Sequence, residues 1–178
     1  AASGSGAALI KTPDLAHAIV RAARQGLEDW AGGQSIHSQG FKPSRIEFIH
    51  TLNHSRSGVP VVPRRLLPLS IKTRLGFDCV VVERWVEHLL EARPAAITLH
   101  GRTLQQMYRG AADWSAIAEA AKLAHGTGTL MLGNGDLNTL VDAIRRAAES
   151  KLQGVLVGRG TLGSPWFFRE KEQARRAF

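Results

Sequence analysis

The chain has a single cysteine, Cys79, which excludes an internal disulfide and makes a reducing compartment, the cytoplasm, the default expectation. It also has no apolar run approaching the roughly 18 residues that a membrane span needs. The opening residues, AASGSGAALIKTP, lack the charged start and hydrophobic core of a secretory leader. They lack an initiator methionine as well, and read as a start cut from something longer. Acidic residues are the minority, 15 Asp and Glu against 23 Lys and Arg, for a net charge of +8. Such an excess suits a polyanionic partner, although solvated helix faces and a polar loop would produce the same count. His50 and His54 are four residues apart, a metal-compatible spacing, yet no third ligand is evident and no metal is expected.

What is present is a repeated placement. Four hydrophobic, strand-like runs end in chemistry-bearing residues: IKTR at Arg74, ITLHGRT at Thr103, LMLGNGD at Asp136 and VLVGRG at Gly160. Lys72, His100, Asn134 and Gly158 follow one another at 28, 34 and 24 residues, about what one strand, one helix and two loops require. That is the pattern of a (β/α)8 TIM barrel read along one rim. With 178 residues, the chain is short of the roughly 250 of a complete barrel, so a C-terminal half, strands five to eight, is expected. The hydrophobic share of 44% is that of a globular α/β chain and sets disorder aside as the dominant state.

Strands are expected at 67–73, 95–100, 128–133 and 153–158, helices at 78–92, 113–125 and 138–150, and a last helical stretch after Pro165. An earlier helix from Lys11 to Trp30 starts with Thr12 as cap and Pro13 in the first turn. Residues 31–65 carry seven glycines and prolines and read as a long loop or insertion, with at most a short segment around Ile46–Leu52. Basic residues gather there (Lys42, Arg45, Arg56, Arg64, Arg65) and again at Arg145, Arg146, Lys151, Arg169, Lys171, Arg175 and Arg176.

In LGNGDLNTL the chain leaves a strand through Gly133 and Gly135 and enters a helix, so backbone N–H groups can approach an anion while Asn134 and Asp136 offer hydrogen bonds. VGRGTLGSPW repeats the idea, with Gly158 and Gly160 freeing the backbone and Arg159 supplying a positive fork. Lys72 and His100 end apolar strands, where a titratable group needs a ligand or a partner. Arg102 and Arg74 could hold phosphate or pair with Asp113, Asp78 or Glu83.

The blocks LSIKTRLG, ITLHGRTLQQMYRGAADW, GNGD and GVLVGRGTLGSPWFFRE, in this order and at these intervals, resemble those of tRNA-dihydrouridine synthases over about residues 3–30 and 66–170. The resemblance implies an FMN-binding barrel that reduces the C5–C6 bond of a uridine in tRNA, with NADPH as reductant. It implies that Lys72 and His100 contact the FMN ring region, that Asn134, Gly135 and Asp136 bind the ribityl–phosphate part, and that Gly158 and Arg159 grip the phosphate. Arg102, Tyr108 and Trp114 would lie along or near the tRNA-facing rim. The family's acid cysteine belongs to a loop before the block resembling GSGAAL, so it is expected upstream of Ala1. Cys79 is expected to be a small buried side chain instead. A dihydroorotate-dehydrogenase-like barrel would share the NGD and GRG phosphate logic without needing the HGRT–MYRG string or the basic charge, and a non-catalytic half-barrel is a further alternative.

Overall fold

In the computed structural model, Gly4 and residues 6–55, 63–164 and 166–168 are described. Of the helical stretch expected after Pro165 only residues 166–168 are among them, as a turn; Arg56 with the end of the NHSRSG string, and the basic residues Arg169, Lys171, Arg175 and Arg176, lie outside. The chain divides into two compact units, one formed by Ala1–Val20 with Leu69–Phe178 and the other by Arg21–Pro68.

Helix α1 (Pro13–Ala31) begins at a proline whose missing N–H would be unsatisfied in a first turn anyway. In the larger unit, four strands pair in parallel in the order β1 (Ser70–Arg74), β2 (Ala96–His100), β3 (Leu130–Asn134) and β4 (Gly154–Leu156). Three helices return the chain between them; with α2 (Pro43–Ser55) preceding the sheet, they are α3 (Val82–Glu91), α4 (Trp114–Ala124) and α5 (Leu140–Glu149). This succession is half of a (β/α)8 barrel, as the spacing of the four strings predicts. Helix α4 starts where Asp113 Oδ1 accepts from the Ala116 N–H at 2.9 Å, and α5 where Thr139 Oγ1 accepts from the Asp142 N–H at 3.1 Å. Each cap satisfies an orphan donor, typically worth about 1 kcal/mol.

Alternation along the strands sorts the side chains into two faces. Ile71, Thr73, Ile97, Leu99, Met131 and Gly133 share the helix-covered face. There Trp85 Nε1 of α3 donates to Thr73 Oγ1 at 2.9 Å, and a Cβ on Gly133 would fall 2.6 Å from the Trp114 ring of α4. Val86, Ile97, Leu99 and Ile117 are fully excluded from water, each contributing roughly 1.5–3 kcal/mol by the area it buries. Lys72, Arg74, Thr98, His100, Leu132 and Asn134 share the opposite face. The edge strand β1 has only Thr73 fully buried, and Leu66 and Leu67 just before it are exposed, as expected of a sheet that stops at this edge.

The smaller unit overturns the expectation of a loop over 31–65. A 3-10 helix spans Ile36–Gln39 and α2 runs for 13 residues. Three of the residues that suggest a loop bound these helices: Gly33 and Gly40 take left-handed backbone at φ 89° and 68°, and Pro43 is the first residue of α2. Arg45 falls within the arc that holds the apolar positions of α2, and Ile46 is buried while Phe48 and Leu52 are exposed, so no clean apolar stripe announces the helix. Arg64 donates to the carbonyls of Trp30 and Gln34 at 3.3 and 3.0 Å, internal bonds that account for one cation of this stretch.

Cys79 is also not where the sequence predicts. It is exposed, because α3 starts at Val82 and residues 76–80 form a tight turn in which Asp78 Oδ1 accepts from the Cys79 N–H at 2.9 Å. Among the described residues no helix is long and apolar enough to cross a membrane.

Candidate functional site

The parallel register sets the depth of each polar side chain. Arg74, His100, Asn134 and Leu156 lie in one row across the four strands, while Lys72 is level with Thr98, Leu132 and Gly154. Lys72 is therefore two residues below His100 on the same face, and Arg74 is its true neighbour in the row. Beyond the row, the loops after β2, β3 and β4 add Tyr108, the Gly135–Asp136 turn and the Gly158–Gly160 turn.

These groups enclose a cleft of about 220 Å³ lined by Lys72, His100, Asn134, Gly135, Asp136, Gly158 and Arg159, together with Arg74 and Tyr108. A larger hollow of about 690 Å³ opens at the other end of the sheet between α4 and α5. None of the residues singled out by the strand-end strings lines it. In parallel α/β sheets chemistry gathers outside the carboxyl ends of the strands, so the smaller cleft is the candidate site.

Glycine makes the narrow parts of the cleft possible. Gly135 has φ 134°, and a Cβ there would stand 2.6 Å from the Ala112 Cβ and 3.3 Å from the His100 ring. A Cβ on Gly160 would stand 2.2 Å from the Leu137 carbonyl oxygen, whereas Gly158 has open space around it. The two phosphate-like turns are thus in backbone contact with each other.

Four cations and one carboxylate surround the cleft, and the carboxylate is already engaged. Arg102 Nη2 donates to Asp136 Oδ2 at 2.6 Å and to the Gly110 carbonyl at 2.5 Å. The Ala112 N–H donates to the same Asp136 oxygen at 2.8 Å. Arg159 Nη2 lies 3.4 Å from Asp136 Oδ1. Burial alone would raise the Asp136 pKa, but these donors and the two arginine charges hold it below the ordinary carboxylate value. Asp136 is shared by Arg102 and Arg159, so among the described residues the cleft lining sets three cations, Lys72, Arg74 and Arg159, against this one shared carboxylate.

Lys72 has its pKa lowered, first by burial and then by Arg74. His100 is pushed down to about 4, by burial foremost and then by the charges of Arg74, Lys72 and Arg102. It is therefore neutral near pH 7, one nitrogen carrying a proton and the other free to accept. Asn134 Nδ2 donates to the Leu156 carbonyl at 2.8 Å, fixing its amide across β3 and β4.

Three expectations are corrected. Arg102 does not face a rim: it is 2% exposed, and it pairs with Asp136 rather than Asp113, Asp78 or Glu83. Trp114 is buried against Gly133 at the start of α4. The turn after Gly158 opens a three-residue 3-10 segment, Arg159–Thr161, and not a longer helix whose dipole could favour phosphate. Of the rim residues predicted, Tyr108 is exposed at the cleft. Arg74 deserved the weight given to Lys72, since period-two alternation alone puts both on one face. The Gly110 carbonyl and the Ala112 N–H, which complete the Asp136 network, are backbone groups with no sequence signal.

Among the described residues no cluster of three or more His, Cys, Asp or Glu side chains could hold a metal ion. The basic pair Arg145 and Arg146 forms ion pairs along α5 with Asp142 and Glu149, the behaviour of a solvated helix face.

The family model described as dihydrouridine synthase matches residues 53–177. A probable tRNA-dihydrouridine synthase of Aquifex aeolicus (strain VF5) is 40% identical over 109 residues, covering 61% of this chain and 34% of the relative. One from Mycobacterium leprae (strain TN) is 38% identical over 115 residues, covering 61% and 28%. The Neurospora crassa tRNA-dihydrouridine(47) synthase is 33% identical over 140 residues, covering 58% and 19%. The chain thus spans about a third or less of the length of these curated relatives.

Proposed function

The chain belongs to the dihydrouridine synthase family, and from that premise we propose that it forms the cofactor-phosphate side of a cytoplasmic enzyme that reduces the C5–C6 bond of a uridine in tRNA, with FMN as cofactor and NADPH as reductant. The observation that carries this reading is the cleft at the carboxyl ends of the strands, where Lys72, Arg74 and Arg159 face a single carboxylate, already shared with Arg102, beside two glycine turns. An anionic group with a narrow, hydrogen-bonding tail fits that chemistry; a phosphate on a ribityl chain is such a group.

In this reading Arg159 and the backbone at Gly158 bind the phosphate, and Gly135 lets the tail approach the backbone closely. Lys72 and His100 lie on the same face of the sheet, where they contact the flavin ring region. Burial and the neighbouring Arg74 lower the pKa of Lys72, which eases loss of its proton against an apolar ring, and the neutral His100 can donate a hydrogen bond without adding charge. Bound and reduced, FMN supplies the hydride to uracil C6, while the protein orients the reactants. The proton at C5 needs an acid. Cys79 does not line the cleft, so no acid role is assigned to it, and we infer that the 178-residue chain by itself forms no dihydrouridine.

The target base in tRNA must leave its stack to reach such a site, with basic surface holding the flanking phosphates. Tyr108 at the cleft mouth is the candidate contact; the buried Arg102 is not. The test is titration of the chain with FMN and with riboflavin, which lacks the phosphate, followed by flavin fluorescence. FMN is expected to bind more tightly, and Arg159→Ala is expected to remove most of the difference. An FMN dissociation constant unchanged by Arg159→Ala would overturn the phosphate assignment.

A further inference from the structure

The guanidinium of Arg159 lies 4.5 Å from the centroid of the Tyr108 ring, and its Nη2 lies 3.4 Å from Asp136 Oδ1. Three separate loops meet in this contact. Tyr108 comes from the loop after β2, Asp136 from the turn after β3, and Arg159 from the turn after β4. The circuit closes through Arg102, whose Nη2 bonds both Asp136 and the carbonyl of Gly110, two residues beyond Tyr108.

Most of this circuit is held by burial and hydrogen bonds. Arg102 is buried, Asp136 accepts from two donors on one oxygen, and the Asp113 N–H bonds the Gly101 carbonyl at 2.7 Å to close the base of the loop. Arg159 is the exception, with its side chain 58% exposed. An arginine at that exposure samples many rotamers unless something holds it, and gripping an anion then removes that freedom at the expense of affinity. Here a ring face lies against the guanidinium and a carboxylate oxygen faces one edge. Because Asp136 is already neutralised by Arg102, it can orient Arg159 without cancelling its charge.

We propose that Tyr108 is a positioning residue for Arg159: its ring face, together with Asp136, holds the guanidinium at the Gly158–Gly160 turn, ready for a phosphate. Tyr108 thereby contributes to cofactor retention through Arg159, and the loop at the cleft mouth is linked to the phosphate site through one cation–π contact. The inference rests on the reading of the cleft as a phosphate site.

The experiment compares wild type, Tyr108→Phe and Tyr108→Leu in titrations with FMN and with riboflavin. Tyr108→Leu is expected to weaken FMN binding about two- to fivefold, the range of an exposed cation–π contact, and to leave riboflavin binding unchanged. Tyr108→Phe keeps the ring face and is expected to bind FMN as wild type does. Equal losses for FMN and riboflavin in Tyr108→Leu would mean a general structural role and overturn the proposal. So would a Tyr108→Phe variant as weak as Tyr108→Leu, or a Tyr108→Leu variant as tight as wild type. A wild-type chain with no preference for FMN over riboflavin would overturn the phosphate reading itself, and the inference with it. The exposure of Tyr108, 65%, means that neither substitution disturbs the core, and a circular-dichroism melt of each variant checks this.

Discussion

Arg102 and Asp136, 34 residues apart in the chain, meet at 2.6 Å with the arginine side chain only 3% exposed and the aspartate side chain 33% exposed. The pair joins the loop after β2 to the turn after β3, and it converts the one acidic residue of the cleft into a structural group. Among the described residues, two of the arginine's donor atoms, Nε and Nη1, have no hydrogen-bond partner, so its burial depends heavily on the carboxylate.

Unequal exposure predicts unequal mutants. Asp136→Ala leaves a buried guanidinium without its counter-charge and is expected to destabilise the chain by about 3–5 kcal/mol, whereas Arg102→Met leaves a carboxylate that water can reach and is expected to lose less. Urea denaturation of both variants measures the difference. Equal losses below about 1 kcal/mol would show that the pair is not the anchor described.

Acid sensitivity is the second expectation. His100 has a folded pKa near 4, below its ordinary unfolded value of about 6.5. The unfolded chain therefore binds the extra proton first, and stability falls as the pH drops from about 6.5 towards 4 while remaining intact above that window. The contribution is on the order of 3 kcal/mol. Urea midpoints across this range should decline for wild type and flatten in His100→Gln; parallel curves would remove His100 as the cause.

The glycines of the GRG string are expected to behave differently from each other. A Cβ at Gly160 meets the Leu137 carbonyl at 2.2 Å, and one at Gly158 meets nothing within 4 Å. Gly160→Ala must displace backbone and is expected to cost about 1–3 kcal/mol along with flavin binding. Gly158→Ala is expected to fold as wild type does. Thermal melts of the two variants decide it, and equal midpoints would contradict the close approach of the two turns.

Turnover is the fourth expectation. Supplied with FMN, NADPH and tRNA, the purified chain should form no dihydrouridine detectable by nucleoside mass spectrometry, because no cysteine lines the cleft to supply the C5 proton. Product above background would overturn that inference.

The strand-end strings made the parallel sheet and most of the cleft legible, because strand alternation and βα spacing are local properties that a linear pattern records. Helix α2 is hard to read for a local reason too: Arg45 interrupts its apolar arc, and its bounding glycine and proline imitate a loop. Residue type alone favours burial of Cys79, while the tight 76–80 turn puts it in water.

Residue identity and spacing by themselves determined the four β/α units, their order and the polar groups at their carboxyl ends. Only the tertiary structure decided what those groups do: register put Arg74 in the row with His100, burial turned Arg102 from a surface cation into the partner of Asp136, and loop closure brought Tyr108 onto Arg159. The physical reason is that hydrogen bonds, ion pairs and desolvation depend on distances between residues tens of positions apart, and those distances exist only once the sheet has set the loops side by side.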